Sequence, residues 1–259
     1  MSFHLNNVTF SYRNGFRLTN LSLEIPSGSF LGLIGPNGSG KSTLLRLMCA
    51  ELKPDSGRVL LDGRPVSDFP TMERARQMAV ISAEQHFDFP FLVWDVVAMG
   101  RFPHLGRMRK TASTDDEIIR EALRLTDVER FADRPVSRLS SGERQRVLIA
   151  RAMAQEPAIM LLDEPDAHLD LHHQLNIFRL LQRLNQERGI SLVVILHDLT
   201  VAASFCKRLA LLDRGQLIRH GPPSEVITPE IIQSVYGKDV IVFRNPVTGL
   251  PNVAIGDGS

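Results

Sequence analysis

The sequence predicts an α/β protein in which a phosphate-binding loop joins a buried strand to a helix, and three observations carry that prediction. Gly35-Pro36-Asn37-Gly38-Ser39-Gly40-Lys41-Ser42 fits the pattern G-x-x-x-x-G-K-[ST], with the apolar run Phe30 to Ile34 before it and a helix-like run, Thr43 to Leu52, after it. Two more apolar runs, Ala158 to Leu162 and Leu192 to Leu196, read as strands buried on both faces, with helical periodicity between them. Leu5 to Tyr12 and Leu18 to Ile25 instead alternate apolar and polar residues around Asn14-Gly15, the pattern of an antiparallel β layer.

The loop implies a chemistry. Its three glycines let the backbone curl with N–H groups pointing inward, the following helix N-terminus adds partial positive charge, and Lys41 adds a full one. Ser42 is placed to ligate Mg²⁺ beside a nucleoside triphosphate. With 43% hydrophobic residues over 259 positions, the chain can bury a large core as one domain, 1–259, with room for an inserted subdomain. Thirty basic residues against 29 acidic leave a net charge of +1, so no general field draws nucleic acid or an anionic membrane, and no nucleic-acid partner is expected. Cys49 and Cys206 have neither C-x-x-C nor metal spacing and read as two small buried apolar side chains in a reducing compartment. The N-terminus lacks a basic-then-apolar leader, and no apolar run approaches the ~20 residues of a membrane helix. The expectation is a cytoplasmic protein that reaches a membrane only through a partner.

Along the chain, Pro54-Asp55-Ser56-Gly57 turns into Arg58 to Leu61, and Asp62-Gly63 marks a hairpin. Met78 to Ser82 is a short apolar strand. Phe87, Phe89, Pro90, Phe91 and Trp94 then crowd together and the pattern turns helical through Gly100, which places a helical subdomain at about 84–155. The aromatic cluster reads as core or as a docking surface for another protein. Thr114-Asp115-Asp116-Glu117 predicts a capping box for a helix with Ile118, Ile119, Ala122, Leu123 and Leu125 on one face.

Ser140 and Glu143 are spaced as a second capping box in Leu139-Ser140-Ser141-Gly142-Glu143-Arg144-Gln145, and Val147, Leu148, Ala150 and Met153 stripe the helix that starts there. Two serines and a glycine at a helix N-terminus suit an anion. The strand Ala158 to Leu162 runs into Asp163-Glu164; in a P-loop protein the first acid holds Mg²⁺ and the second can orient and deprotonate water. Asp170 closes Ala167-His168-Leu169-Asp170 ahead of a helix that buries Leu171, Leu175, Phe178, Leu181 and Leu184 and stops at Gly189. His172 and His173, being neighbours on a helix, diverge and read as solvated or interfacial rather than as metal ligands. His197 follows the strand Leu192 to Leu196 at its carboxyl end, where it is either structural or within reach of a γ-phosphate. Leu209 to Leu212 and Leu217 to His220 form an edge hairpin. A C-terminal extension from about 222 to 259 has Thr228 as N-cap, Pro229 in the first turn, Ile231, Ile232 and Val235 as its stripe, and two short strands, Val240 to Phe243 and Val253 to Ile255. Tyr12, ahead of the P-loop, is either a strand-edge aromatic or a ring for adenine.

The order of P-loop, LSSGERQ, apolar strand ending in Asp-Glu, AHLD and strand ending in His resembles the ATP-binding cassette of ABC transporters over roughly residues 3 to 222. That resemblance implies a RecA-like sheet core with an antiparallel β layer and an inserted helical subdomain, and ATP hydrolysis with Mg²⁺. It implies that Gly35 to Thr43 wraps the phosphates, Lys41 contacts the β and γ phosphates, Ser42 and Asp163 hold Mg²⁺, Glu164 is general base, His197 senses the γ-phosphate and Tyr12 stacks on adenine. It further implies that a second copy of the chain closes head to tail, so that Ser140, Ser141, Gly142, Glu143 and Asp170 act in trans on the partner's nucleotide.

FPFLVWDVVAMGRFPHLG, DEPDAHLD, LHDL and VYGKDVIVFRNPVTGLP are similar to ATPase subunits of bacterial importers for iron-siderophore complexes, haem and vitamin B12. Such subunits work on transmembrane permease subunits at the cytoplasmic face of the inner membrane, and a substrate-binding protein delivers cargo to the permease. Cassette motifs alone also suit an exporter, or a soluble ABC ATPase outside transport. Three positions depart from the pattern: Ser141 stands for the second Gly of LSGGE, Asp166 for Thr after Asp-Glu-Pro, and Ala83 falls in the slot of a Gln, with Gln85 two residues on.

Overall fold

The computed structural model describes residues 1–13, 15–82, 89–105, 113–167 and 169–256. In chain order its first elements are β1 (Phe3–Ser11), β2 (Arg17–Ile25), β3 (Phe30–Ile34), α1 (Lys41–Met48), β4 (Ser56–Leu61) and β5 (Arg64–Pro65). Next come α2 (Thr71–Gln77), β6 (Met78–Ile81), α3 (Val93–Ala98), α4 (Ser113–Leu125), α5 (Ser141–Ala154), β7 (Ile159–Asp163) and α6 (Leu171–Arg188). The chain finishes with β8 (Ser191–Ile195), α7 (Leu199–Phe205), β9 (Arg208–Asp213), β10 (Gln216–Gly221), α8 (Pro223–Val226), α9 (Pro229–Tyr236), β11 (Val240–Arg244) and β12 (Pro251–Ile255). Two compact units divide these elements: Met1–Asp68 with Ser191–Ser259, and Phe69–Ile190.

The first unit has the antiparallel layer expected from alternation, in the order β2-β1-β4-β5. Phe3, Leu5 and Val8 of β1 face the same core as Leu21, Leu23 and Ile25 of β2. The alternation skips a residue after Leu5 because Asn7 takes a left-handed φ of 51° and the pairing shifts register there, a bulge that returns Val8 to the core. Against it stand the wholly buried strands: β3 is parallel to β8 on one side and to β9 on the other, and β10 closes the edge antiparallel to β9. Every residue of β3 and β8 is buried, which is why both read as continuous apolar runs. Helix α1 stops at Met48 rather than running to Leu52, because Ala50 turns left-handed at φ 55° and the helical ladder cannot continue through it. In the tail, Thr228 Oγ1 caps α9 by accepting from the Ile231 N–H, and β11 pairs with β12 from Val240↔Ile255 to Arg244↔Pro251.

The second unit pairs β6 parallel to β7 and packs helices α2 to α6 around them. Helix α5 is the hub: Val147, Leu148, Ile149, Ala150 and Met153 are all buried, against α3 and α4 among others. A 3₁₀ turn, Met99–His104, carries Arg101, which is only 4% exposed and donates to Asp115 Oδ1 (2.8 Å), the Ala154 carbonyl (2.6 Å) and Glu156 Oε2 (2.7 Å). Thr114 is not an N-cap: α4 already begins at Ser113, and Asp115 serves Arg101 instead. Leu171 is 67% exposed and Leu175 half-buried, since the first turn of α6 extends past the elements that cover Ile177, Phe178, Leu181 and Leu184.

Phe89 and Phe102 are 67% and 63% exposed, so the aromatic segment is not simply core. Ala83, Glu84, Gln85 and Phe87 lie outside the described residues, as does His168. Cys206 is buried, which pushes its thiol pKa up, whereas Cys49 is half-buried rather than fully packed. Among the described residues no helix is long and apolar enough to cross a membrane.

Candidate nucleotide site

In the first unit, β3 delivers the P-loop and α1 begins at its lysine. Gly35 takes φ +146°, and a Cβ there would fall 2.1 Å from the Leu212 carbonyl oxygen, so only glycine lets the loop leave the sheet this close to β9. Lys41 is only 6% exposed; its Nζ donates to the carbonyl oxygens of Gly35 (2.9 Å) and Pro36 (3.0 Å). Its charge is thereby held at the loop instead of trailing into water. Ser39 Oγ is buried and has no hydrogen-bond partner among the described residues, a deficit of about 1–3 kcal/mol for a hydroxyl. An oxygen-rich anion seated in the loop would satisfy it. Gly38 and Gly40 also have positive φ, Asn37 is exposed at the tip, Ser42 is half-buried and Thr43 is buried in the first turn of α1. Backbone N–H groups, an ammonium and hydroxyls form a donor set that fits the polyphosphate of ATP.

Phe16 and the Tyr236 phenol adjoin this loop, and Tyr12 packs beside Phe16. Tyr12 N–H donates to the Phe16 carbonyl (2.8 Å), and the Tyr12 ring meets Phe10 edge-on at 4.8 Å and Phe16 at 6.3 Å. Phe16 Cζ lies 2.9 Å from where a Cβ on Gly40 would stand, so Phe16 is the ring in direct contact with the P-loop. The sequence singled out Tyr12 alone; the signal for Phe16 was a second aromatic four residues on, beyond a glycine turn. Tyr236 of α9 takes a hydrogen bond from the Gly35 backbone, while burial, with help from the Asp213 charge, pushes its phenol up to about 12. That contact ties the C-terminal extension to the first glycine of the loop. His197 is exposed two residues past Ile195, which pairs with Leu33, two residues before Gly35, so both leave neighbouring strands at the same end.

The second unit holds the other candidate groups. Asp163 is the last residue of β7 and half-buried, and Glu164 follows it at φ 49°, a left-handed conformation that costs a non-glycine residue ~1–2 kcal/mol. Asp166, one of the departures, accepts from Gln174 Nε2 at 2.5 Å, which gives its carboxylate a donor on α6. At the start of α5 the capping box is complete: Glu143 N–H donates to Ser140 Oγ (3.3 Å), and Ser140 N–H donates to Glu143 Oε2 (2.9 Å). The Ser140 N–H bond is the main reason that the Glu143 carboxyl lies below its ordinary pKa. Ser140 and Ser141 remain exposed and Gly142 is buried. Asp170 caps α6, accepting from the His173 N–H at 2.8 Å, and that bond chiefly lowers its pKa.

A P-loop with a buried lysine narrows the chemistry to nucleotide binding, and the comparison with protein families decides the rest: the model for the ABC transporter matches residues 18–167. The chain belongs to the ABC transporter family. As an ABC transporter ATP-binding chain it is an ATPase. It is 39% identical over 246 residues to the ferric enterobactin transport ATP-binding protein FepC of Escherichia coli (strain K12), covering 95% of this chain and 91% of that one. It is 45% identical over 232 residues to the hemin import ATP-binding protein HmuV of Streptomyces coelicolor, covering 90% of this chain and 82% of the relative. Among solved structures it is similar to a dimeric ATP-binding cassette in a post-hydrolysis state bound to ADP and Pi, with a TM-score of 0.73 and 34% identity over 85% of this chain and 98% of that one. The expected α/β cassette, with its antiparallel layer and its helical part, is thus the fold of this ABC chain.

Proposed function

We propose that this ABC ATPase is the ATP-hydrolysing subunit of a bacterial importer for an iron chelate, a siderophore complex or haem, acting on a separate permease at the cytoplasmic face of the inner membrane. Identity to FepC and HmuV over nine-tenths or more of the chain supports the cargo class. The single observation that carries the enzymatic reading is the buried Lys41 held across Gly35 and Pro36, in a loop whose Ser39 hydroxyl has no partner among the described residues.

In this reading Lys41 and the loop N–H groups neutralise the β and γ phosphates of substrate ATP, and Tyr12 with Phe16 receives the adenine. Mg²⁺, held by Ser42 and Asp163, would supply charge neutralisation at the phosphate oxygens. Glu164 orients a water in line with the γ-phosphate and takes its proton, while His197 hydrogen-bonds the γ-phosphate. A second copy of the chain brings Ser140, Ser141, Gly142, Glu143 and Asp170 to the nucleotide from the other side. The similar dimeric cassette supports that pairing. Hydrolysis removes the anion that both copies grip, so the pair reopens, and the permease converts that motion into transport.

Reconstitution in proteoliposomes with the co-expressed permease and binding protein tests the proposal. ATP enclosed on the cassette side should drive uptake of haem or a ferric siderophore, and Glu164→Gln should stop it. ATP-driven movement of the same cargo in the opposite direction would overturn the importer assignment.

A further inference from the structure

Gly142 and His173 are fitted to one another within the second unit. A Cβ on Gly142 would fall 2.3 Å from His173 Cδ2, 2.9 Å from Cγ and 3.2 Å from Cβ, so the Cδ2 edge of the imidazole and its Cβ anchor on α6 occupy the space a side chain would need. His173 is itself held. Its backbone N–H donates to Asp170 Oδ1 at 2.8 Å, and its ring Nδ1 lies 2.8 Å from the same oxygen. Because an ionised carboxylate only accepts, Nδ1 carries the proton in that bond. A continuous chain of contacts therefore runs from Asp170, through His173, to Gly142 and the Ser140–Glu143 capping box.

We propose that His173 is a positioning residue that locks the start of α5 to the start of α6, so that Ser140–Gly142 and Asp170 meet a partner subunit as one rigid surface. This rests on the reading that these segments close over nucleotide held by a second copy. A surface offered to a partner gains affinity when its parts are ordered beforehand, since the ordering cost is not charged to association. His173 touches neither nucleotide nor water in this account. Its effect belongs to the closing of the pair, not to the first binding of ATP by a single subunit.

The test uses the full chain in the slow-hydrolysing Glu164→Gln background and compares His173→Ala, His173→Asn and His173→Phe. Asn keeps a side-chain N–H near the Nδ1 position but no ring; Phe keeps a ring against Gly142 but cannot donate to Asp170. Sedimentation with MgATP should show His173→Ala needing about tenfold more protein to dimerise, with Asn and Phe each restoring part of the loss. ATP titration at low protein concentration should find monomer affinity unchanged within about twofold for all three. Dimerisation of His173→Ala equal to the parent would overturn the proposal, and so would a matching loss of monomer affinity, which marks a folding defect. Ser140→Arg run in parallel separates the two layers: if it blocks dimerisation while His173→Ala does not, the positioning role alone fails, and if neither has any effect, the reading beneath it fails too.

Discussion

Lys41 Nζ lies 2.9 Å from the carbonyl oxygen of Gly35, six residues earlier, and closes the P-loop upon its own ammonium. The bond explains how a lysine can be 6% exposed at the head of a helix: backbone oxygens satisfy two of its donors while the charge stays at the loop mouth.

Lys41→Ala removes that charge along with the loop's internal tie. ATP affinity of the monomer should fall at least tenfold, ~1.4 kcal/mol, by calorimetric titration, with hydrolysis lost in parallel. Affinity equal to the parent would mean that the phosphates sit elsewhere.

Ser140→Arg places a long cation in the capping box that would face a partner's nucleotide. ATP-driven dimerisation should be lost while nucleotide binding by the isolated monomer is kept. Equal loss of both, in titrations at low protein concentration, would assign Ser140 to the nucleotide bound by its own subunit.

Arg101 answers for stability rather than chemistry. Arg101→Met removes the guanidinium that Asp115, itself 8% exposed, and the Ala154 carbonyl both accept from, so the chain should lose about 3–5 kcal/mol in denaturant unfolding. A loss below about 1 kcal/mol would show that water repairs the site readily.

Tyr236 links stability to alkaline pH. Its phenol ionises near 10 when free and about 12 when folded, so the folded state keeps the proton longer. The stability it contributes is fully present below about pH 10 and is lost as pH rises through about 12. Tyr236→Phe should flatten the fall in denaturation midpoint across that window; an unchanged slope would mean that folding does not withdraw the Tyr236 phenol from water.

Much of this was legible along the chain because the chemistry fixes residue type and spacing together. A phosphate loop needs glycines, lysine and serine in one run, and Ser140 with Glu143 satisfies two helix donors only at that separation. Contacts made by distant segments left no local trace. Nothing near Tyr236 announces that it reaches Gly35, and nothing near His173 announces Gly142, since both depend on how elements pack. Leu171 and Ala50 failed in a related way: periodicity places a residue on a helix face but does not say whether a neighbour covers that face or where the turn breaks.

In the proposed mechanism Glu164 is the base for ATP hydrolysis. Phosphate release by purified wild type and Glu164→Gln, under saturating MgATP and with binding confirmed for both, tests it most directly. The amide cannot accept water's proton, so the variant should bind ATP normally, turn over at least tenfold more slowly, ~1.4 kcal/mol of barrier, and accumulate as an ATP-held dimer. Full turnover by Glu164→Gln would contradict the account.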